Sequence, residues 1–152
     1  MTNILSILPV DPNDKKALGI TEELSADLFK RFGSDGKNSF TDWQNNNPKF
    51  LFVVASLNNE IVGCGAFRAI NENTAEIKRM YAKFPRRKIG QTILSYLEEK
   101  AKDIGFRNLV LETRLKNNEA VQFYQKQGYK VIPNYGKYVN RSEAVCFGKS
   151  LI

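Results

Sequence analysis

The chain has 152 residues, 42% of them hydrophobic, and a formal net charge of +7 from 23 Lys and Arg against 16 Asp and Glu. This length suits a single domain, residues 1–152, and two distant cysteines without any histidine match no common zinc-site spacing. No apolar run approaches the ~20 residues that span a bilayer, and the N-terminus lacks a charged n-region, so we expect a reduced, cytoplasmic protein with neither a metal nor a membrane partner.

The first third of the chain predicts a strand, a helix and a polar segment. ILSILPV is typical of a strand, and Asp11 with the following proline ends it. From Asp14 to Phe32 apolar residues recur at helical intervals, with Gly19 as a candidate interruption and Gly33 as a C-terminal stop. Residues 34–48 are polar and without period, and they predict either a loop at a substrate mouth or an inert linker.

The middle of the chain predicts three consecutive strands. FLFVVASL and EIVGCGAFRAI flank Asn58 and Asn59, which indicates a β-hairpin with a tight turn. A second turn, Asn71 to Asn73, leads into AEIKRMYA, which we place at the centre of the sheet.

Two helices and three strands complete the predicted order. Apolar residues from Ile89 to Ile104 line one face of a helix that Gly105 ends, and RNLVLET follows as the fifth strand. Asn117 caps a short helix that stops at Gly128, and YKVIP and EAVCFGKSL supply the last strands. This order predicts an α+β fold, in which helices cover the faces of one mixed sheet.

The densest cationic run lies between a predicted strand and a predicted helix, in Phe84-Pro-Arg-Arg-Lys-Ile-Gly-Gln-Thr-Ile-Leu94. The first N–H groups of a helix are unpaired and partly positive, so such a junction can hold a phosphate group. Arg86, Arg87 and Lys88 would add charge, and Gly90 would let the backbone approach closely. The alternative is a basic turn on a solvated surface.

The net charge favours an anionic partner, which could be nucleic acid, acidic protein or a phosphorylated cofactor. The sequence holds no recognised nucleic-acid-binding motif and no clustered basic helix. We therefore do not expect nucleic acid as a partner.

A second group of residues has helical spacing. At 3.6 residues per turn, Asn117, Ala120, Val121 and Tyr124 share one face of the predicted short helix. The small Ala120 leaves room for a ligand between the cap and the tyrosine. Read alone, Tyr124 fits a half-buried core tyrosine better than a functional one.

EIKRMYA, RRKIGQTIL and N-x-x-A-x-x-x-Y-x-x-x-G-Y occur in this order, and with them the sequence resembles the GNAT superfamily of acyl-CoA-dependent N-acetyltransferases from about Leu51 to Phe147. The closing IPNYGKYVNRSEAVCFGKSL resembles a group of small bacterial members with undefined substrates. The resemblance implies a mostly antiparallel sheet of about seven strands flanked by helices, with a splayed gap between the fourth and fifth strands.

The basic segment departs from the family's loop, which reads Arg or Gln, two residues, Gly, one residue, then Gly or Ala. In register with Ile89-Gly90, Pro85 stands where the Arg or Gln belongs and Lys88 replaces the first glycine. In the alternative register, Arg86 to Lys88 align with the family's basic triplet and the first glycine is missing. The lysine either weakens pyrophosphate binding or compensates through its charge.

The resemblance implies acetyl-CoA as the co-substrate and no metal. Carried over, the backbone of Met80, Tyr81 and Ala82 would hold the pantetheine, and Asn117 would donate a hydrogen bond to it. The pyrophosphate would lie on the amides of Arg86, Arg87, Lys88, Ile89, Gly90 and Gln91.

The resemblance also implies catalytic roles. Tyr124 would protonate the leaving thiolate as general acid. Glu76 matches the glutamate base of some members, and burial can raise the pKa of such a carboxylate. The alternative is that Glu76 pairs with a neighbouring cation such as Lys78. Glu112 is the second candidate base.

The expected function is transfer of an acetyl group from acetyl-CoA to a primary amine of a small molecule or peptide, by direct attack in a ternary complex. The alternative is a non-catalytic acyl-CoA-binding module or sensor. Cys64 and Cys146 are predicted as buried core thiols without a role. The acceptor stays open, with Phe40, Trp43, Tyr135 and Tyr138 as candidate lining residues, and so does a homodimer.

Overall fold

The structure, a computed structural model, describes residues 4–37, 43 and 47–152. Part of the predicted loop at 34–48, including Phe40, lies outside the described residues. The elements in chain order are β1 (Leu5–Pro9), α1 (Lys15–Phe32), β2 (Phe50–Leu57), β3 (Glu60–Ala69), β4 (Thr74–Ala82), α2 (Ile89–Ile104), β5 (Asn108–Arg114), α3 (Asn118–Lys126), β6 (Lys130–Ile132) and β7 (Ala144–Ser150). A 3-10 helix over Gly136–Tyr138 lies between β6 and β7.

The seven strands form one sheet in the order β1-β2-β3-β4-β5-β7-β6. Neighbouring strands are antiparallel except β4 and β5, which run parallel. β4 is the central strand, as the sequence predicted. The α+β class and the mixed, mostly antiparallel sheet are confirmed.

Local signals place most boundaries. Asn58 and Asn59 have φ of 51° and 68°, the left-handed conformation that a two-residue hairpin turn requires. Asp14 caps α1 by accepting from the Lys16 amide, and Gly33 ends it at φ 77°. The helix runs without interruption through Gly19, because its buried residues pack on β2 and β3 and outweigh the weak helix propensity of one glycine.

The sheet has a helical layer on each face. Ile89, Ile93, Leu94 and Leu97 of α2 pack with Tyr124 of α3 against one face. Ala17, Ile20 and Leu24 of α1 pack against the other face, on alternate residues of β2 and β3.

Both cysteines are buried thiols, as predicted. Burial raises the pKa of the Cys64 thiol to about 12, so it stays protonated at neutral pH. Cys64 Sγ donates to the Arg79 carbonyl oxygen at 3.1 Å. The thiols thus belong to the packing of the sheet.

β4 and β5 pair over only three residues, Thr74 with Asn108, Ala75 with Leu109 and Glu76 with Val110. Beyond these pairs the two strands separate, which confirms the predicted gap. Within the described ranges, none of the helices combines the length and apolarity needed to cross a membrane.

Candidate active site

The gap between β4 and β5 opens into a cavity of about 580 Å³. The cavity is lined by the C-terminal halves of β4 and β5, the C-terminal end of α1, the start of α3 and the segment between β6 and β7. Because the lining comes from both faces of the sheet, a ligand in the gap could contact groups on both sides.

A bulge at Arg79 shapes the β4 side of this cavity. Arg79 has φ of 57°, and the β3–β4 register shifts between Cys64 and Ala66. The bulge inverts the alternation of side chains: Lys78 contacts Tyr138 on the α1 face of the sheet, whereas Met80 packs with the α2 core.

The Arg79 side chain ties this bulge to α1. Its guanidinium donates to Ser25 Oγ at 2.6 Å and to the Thr21 carbonyl oxygen at 3.1 Å. A third bond reaches the Asp35 carbonyl oxygen at 3.4 Å. The bulge is therefore held by half-buried hydrogen bonds to α1 and to Asp35, and not by the strand ladder alone.

Tyr124 lies at the cavity on α3 and is only 7% exposed. Its ring packs edge-on against Phe123 and Tyr129, with centroids 5.1 Å and 5.7 Å away. Among the described residues, none forms a hydrogen bond with its hydroxyl. Burial raises the pKa of this hydroxyl, so it keeps its proton at neutral pH.

Asn117 also lines the cavity, where it caps α3 as predicted. Its Oδ1 accepts from the Ala120 amide at 3.2 Å and from Arg31 Nη2 at 3.3 Å. These bonds fix which end of the amide is the acceptor, so Nδ2 is the end that can donate to a ligand.

The start of α2 lies outside the lining of this cavity. Ile89, Gly90 and Gln91 have amides that find no acceptor among the described residues, as expected for the first turn of a helix. Lys88 precedes them with φ of 58°, a conformation that glycine adopts more easily. This fits the register in which Lys88 replaces the first glycine of the family's loop.

Gly90 lies beside α3 at this junction. A Cβ built on it would lie 3.4 Å from Phe123 Cζ, which is van der Waals contact, and its φ is not left-handed. Neither the packing against α3 nor the backbone conformation therefore requires a glycine here.

Glu76 is 3% exposed and its carboxylate is bound on both oxygens. Oε1 accepts from Arg68 Nε at 3.1 Å, and Oε2 accepts from the Tyr135 hydroxyl at 2.6 Å. Lys78 Nζ lies 3.6 Å from Oε2. Glu76 is not among the residues that line the cavity. The ion pair with a neighbouring cation, the alternative left open by the sequence, is present.

Lys78 is a buried lysine on the cavity wall, only 8% exposed. Its Nζ lies 2.6 Å from the hydroxyl oxygen of Tyr138, to which it donates a hydrogen bond. Burial lowers the pKa of Lys78, and the nearby Glu76 opposes that shift.

Glu112 on β5 lines the cavity between the two strands, as does Glu143 from the segment before β7. Glu112 is half-buried, and burial raises the pKa of its carboxyl group, while the positive charges of Lys78 and Arg114 oppose the rise. A carboxyl group in this position can take up a proton more readily than an exposed glutamate.

The remaining candidates are placed as follows. Met80 lines the cavity, Tyr81 packs against the α1 core and Ala82 is exposed at the end of β4. Of the aromatic candidates, Tyr138 lines the cavity, whereas Trp43 packs edge-on against Phe50 and Phe52 with centroids 5.4 Å and 6.4 Å away.

Sequence reasoning missed the bulge at Arg79 and the cations that line the cavity. A positive φ within a strand of bulky residues has no sequence signature comparable to a turn glycine. The described residues bring no group of three or more His, Cys, Asp or Glu together in a way that could hold a metal ion.

The sequence of this chain is similar to a known protein family and to curated proteins. Residues 17–129 match the model of the Acetyltransferase (GNAT) family. An IAA acetyltransferase from Azospirillum brasilense is 33% identical over 94 residues, which are 60% of this chain and 61% of that protein. The chain thus spans about three fifths of the length of this curated relative.

Solved structures share the fold along nearly the whole chain. A Klebsiella pneumoniae protein assigned as an acyl-CoA N-acyltransferase superposes with a TM-score of 0.81 at 24% identity, over 98% of this chain and 99% of that one. The PaiA N-acetyltransferase of Thermoplasma acidophilum, in complex with coenzyme A, gives a TM-score of 0.76 at 21% identity, over 97% and 99% of the two chains. At these identities the likeness shows the fold alone.

Proposed function

This chain belongs to the GNAT acetyltransferase family, and from that membership we propose that it transfers an acetyl group from acetyl-CoA to a primary amine of a small molecule or peptide. The transfer is direct, in a ternary complex with both substrates. One observation carries the proposal: the cavity between β4 and β5 is lined by Tyr124, Asn117 and Glu112 together. Tyr124 and Asn117 come from α3 and its N-cap, and Glu112 comes from β5. Together they supply a proton donor, an amide donor and a proton acceptor around one space.

The chain's own groups fit acetyl-CoA. The free amides of Ile89, Gly90 and Gln91 suit the pyrophosphate, and they are continuous with the segment of Arg86, Arg87 and Lys88. The backbone of Met80, Tyr81 and Ala82 borders the splayed part of β4 and suits the pantetheine, toward which Asn117 Nδ2 can donate. Coenzyme A in the Thermoplasma relative supports this choice of co-substrate. When bound, acetyl-CoA supplies the activated acetyl thioester.

Tyr124 is the proposed general acid. Burial keeps its hydroxyl protonated, and none of the described residues competes for that proton. The hydroxyl can therefore give a hydrogen bond, and then the proton, to the sulfur that leaves as a thiolate.

Glu112 is the better placed of the two candidate bases. An ammonium has no lone pair, so a base must accept a proton from the acceptor amine before attack. Glu112 lines the cavity, whereas both oxygens of Glu76 are engaged by Arg68 and Tyr135. That Glu76 acts as the base stays a prediction. Its carboxylate lies 3.6 Å from Lys78 Nζ, which suits a residue that positions Lys78.

The test measures binding and chemistry separately. Calorimetry of acetyl-CoA with the full chain should show saturable binding, and a panel of amines, amino acids, aminoglycosides and peptides should release free CoA thiol with at least one acceptor. Binding without thiol release on any acceptor would favour the non-catalytic binding module. No binding at all would overturn the proposed function.

A further inference from the structure

We propose that the acceptor amine carries an anionic group, a carboxylate or a phosphate. Arg114 and Arg141, which line the basic side of the cavity, would recognise this group. This inference rests on the proposed function, because it names the acceptor of that transfer. It starts from the charged residues that line the cavity, which are five cations and two carboxylates: Lys78, Arg79, Arg114, Lys137, Arg141, Glu112 and Glu143.

Arg114 and Arg141 carry the proposal. In the part of the chain that the structure describes, neither guanidinium lies within ion-pair distance of a carboxylate. Arg114 rests over the Phe32 ring, 5.4 Å from its centroid, which holds the guanidinium at the cavity without neutralising it. A planar guanidinium can bind a carboxylate or phosphate through two parallel hydrogen bonds.

The segment that carries Arg141 is fixed before any ligand binds. Asn134 Nδ2 donates to the carbonyl oxygens of Tyr138 and Arg141, both at 3.1 Å, and lies 3.4 Å from that of Ala144. The Arg141 amide donates to the Tyr138 carbonyl oxygen at 3.0 Å. One side chain thus contacts the backbone at three points, so this backbone needs little further ordering when a ligand binds.

These cations are separate from those assigned to the co-substrate. Arg86, Arg87 and Lys88 precede α2 and do not line the cavity. The phosphates of CoA therefore do not account for Arg114 and Arg141, which come from the end of β5 and from the segment between β6 and β7.

Glu112 completes the arrangement, because it offers a negative charge to the ammonium end of the acceptor within the same cavity. An acceptor with one amine and one anionic group would find a carboxylate for the first and two arginines for the second among the residues that line one cavity. A polycationic amine would meet the arginines as like charges, which is a penalty that works against it.

The experiment uses matched pairs of amines on the full chain loaded with CoA, and calorimetry measures their binding. β-Alanine is paired with β-alaninamide, O-phosphoethanolamine with ethanolamine, and 1,3-diaminopropane serves as the cationic comparison. We expect the member that carries the carboxylate or phosphate to bind about 10-fold tighter than its partner without that group in at least one pair, as for a charge-assisted contact. A preference in the first pair identifies a carboxylate, and one in the second pair identifies a phosphate.

Arg141→Gln and the double variant Arg114→Gln/Arg141→Gln should each reduce that preference, the double variant more strongly. Arg141 is exposed, so its single variant should fold even if the double variant does not. Arg107→Gln is the matched control, because Arg107 is exposed and lies outside the cavity, and it should keep the full preference.

Equal binding within both pairs, or tighter binding of 1,3-diaminopropane, would overturn the anion site. So would a preference that survives in Arg141→Gln and in the double variant. In a parallel assay with acetyl-CoA in place of CoA, release of the CoA thiol is measured with the same amines. Its complete absence counts against the proposed transfer, whereas the binding ratio alone decides the anion site.

Discussion

The Tyr135 hydroxyl donates a 2.6 Å hydrogen bond to Glu76 Oε2, at the point where β4 and β5 stop pairing. Arg68 and Lys78 lie at 3.1 Å and 3.6 Å from the same carboxylate. Glu76 thus forms ion pairs with two cations in the sheet. We therefore expect its removal to lower the stability of the fold, whatever its effect on catalysis.

Glu76→Gln should destabilise the fold by about 3 kcal/mol, because it removes the negative charge that faces buried Lys78 and half-buried Arg68. Tyr135→Phe removes only one hydrogen bond to the same carboxylate and should cost about 2 kcal/mol. Urea unfolding of both variants checks the order. If Glu76→Gln unfolds at the wild-type midpoint while turnover stops, Glu76 is the base and the present assignment is wrong.

Glu112→Gln should lower kcat by about 100-fold, as expected for the loss of a general base. The wild-type rate should fall as the pH drops through the raised pKa of Glu112, because only the carboxylate can accept a proton. This loss of rate at low pH should be absent from the pH profile of the variant. If the variant still loses rate with the same midpoint, another group is responsible for the loss.

The stability of Glu112→Gln gives an independent check. A raised folded-state pKa means that the carboxylate form disfavours folding, so this group's contribution to stability is present at low pH and is lost as the pH rises through the folded pKa. The melting temperature of the variant, relative to wild type, should therefore rise between pH 4 and pH 7. A relative fall over that range would mean that Glu112 is stabilised as an ion, by Lys78 or Arg114.

Tyr124→Phe should lower kcat by roughly 100-fold and leave the Kd for acetyl-CoA within about 2-fold. The phenyl ring preserves the contacts with Phe123 and Tyr129, and only the hydroxyl at the cavity is lost. Single-turnover thiol release and calorimetry separate the two quantities.

Tyr129→Phe is the matched control for that variant. The Tyr129 hydroxyl donates to Glu98 Oε2 at 2.8 Å, away from the cavity. Its loss should cost about 2 kcal/mol of stability and leave kcat unchanged. If Tyr124→Phe and Tyr129→Phe lower kcat equally, Tyr124 is not the general acid. The loss would then come from altered packing around α3.

The sequence was sufficient for most of the elements, because their signals are local, whereas the central gap was expected only from the family resemblance. The asparagine pair 58–59 sets a left-handed turn, and Gly33 and Gly105 end helices at φ of 77° and 114°. The continuity of α1 through Gly19 could not be read locally, because it depends on packing against strands far away in the chain.

The site was predicted only in part. Asn117 and Tyr124 share a helix, so their spacing brought them together in advance, and the cavity contains both. The basic side of the cavity draws Arg114 and Arg141 from segments whose meeting depends on the β5–β7 pairing. No spacing rule within one element could indicate that arrangement.

Lys88→Gly should be more stable than Lys88→Ala by about 1 kcal/mol. The backbone at this position is left-handed, with φ of 58°, and the Cβ of alanine is strained there, whereas glycine has no Cβ. Both variants remove the same charge from the start of α2, so charge alone should weaken acetyl-CoA binding equally in the two. Thermal melts and calorimetry at low and high salt compare them. Identical melting temperatures would show that the Lys88 backbone is unstrained, and tighter binding by the glycine variant would show that the lysine side chain obstructs the amides of Ile89 and Gly90.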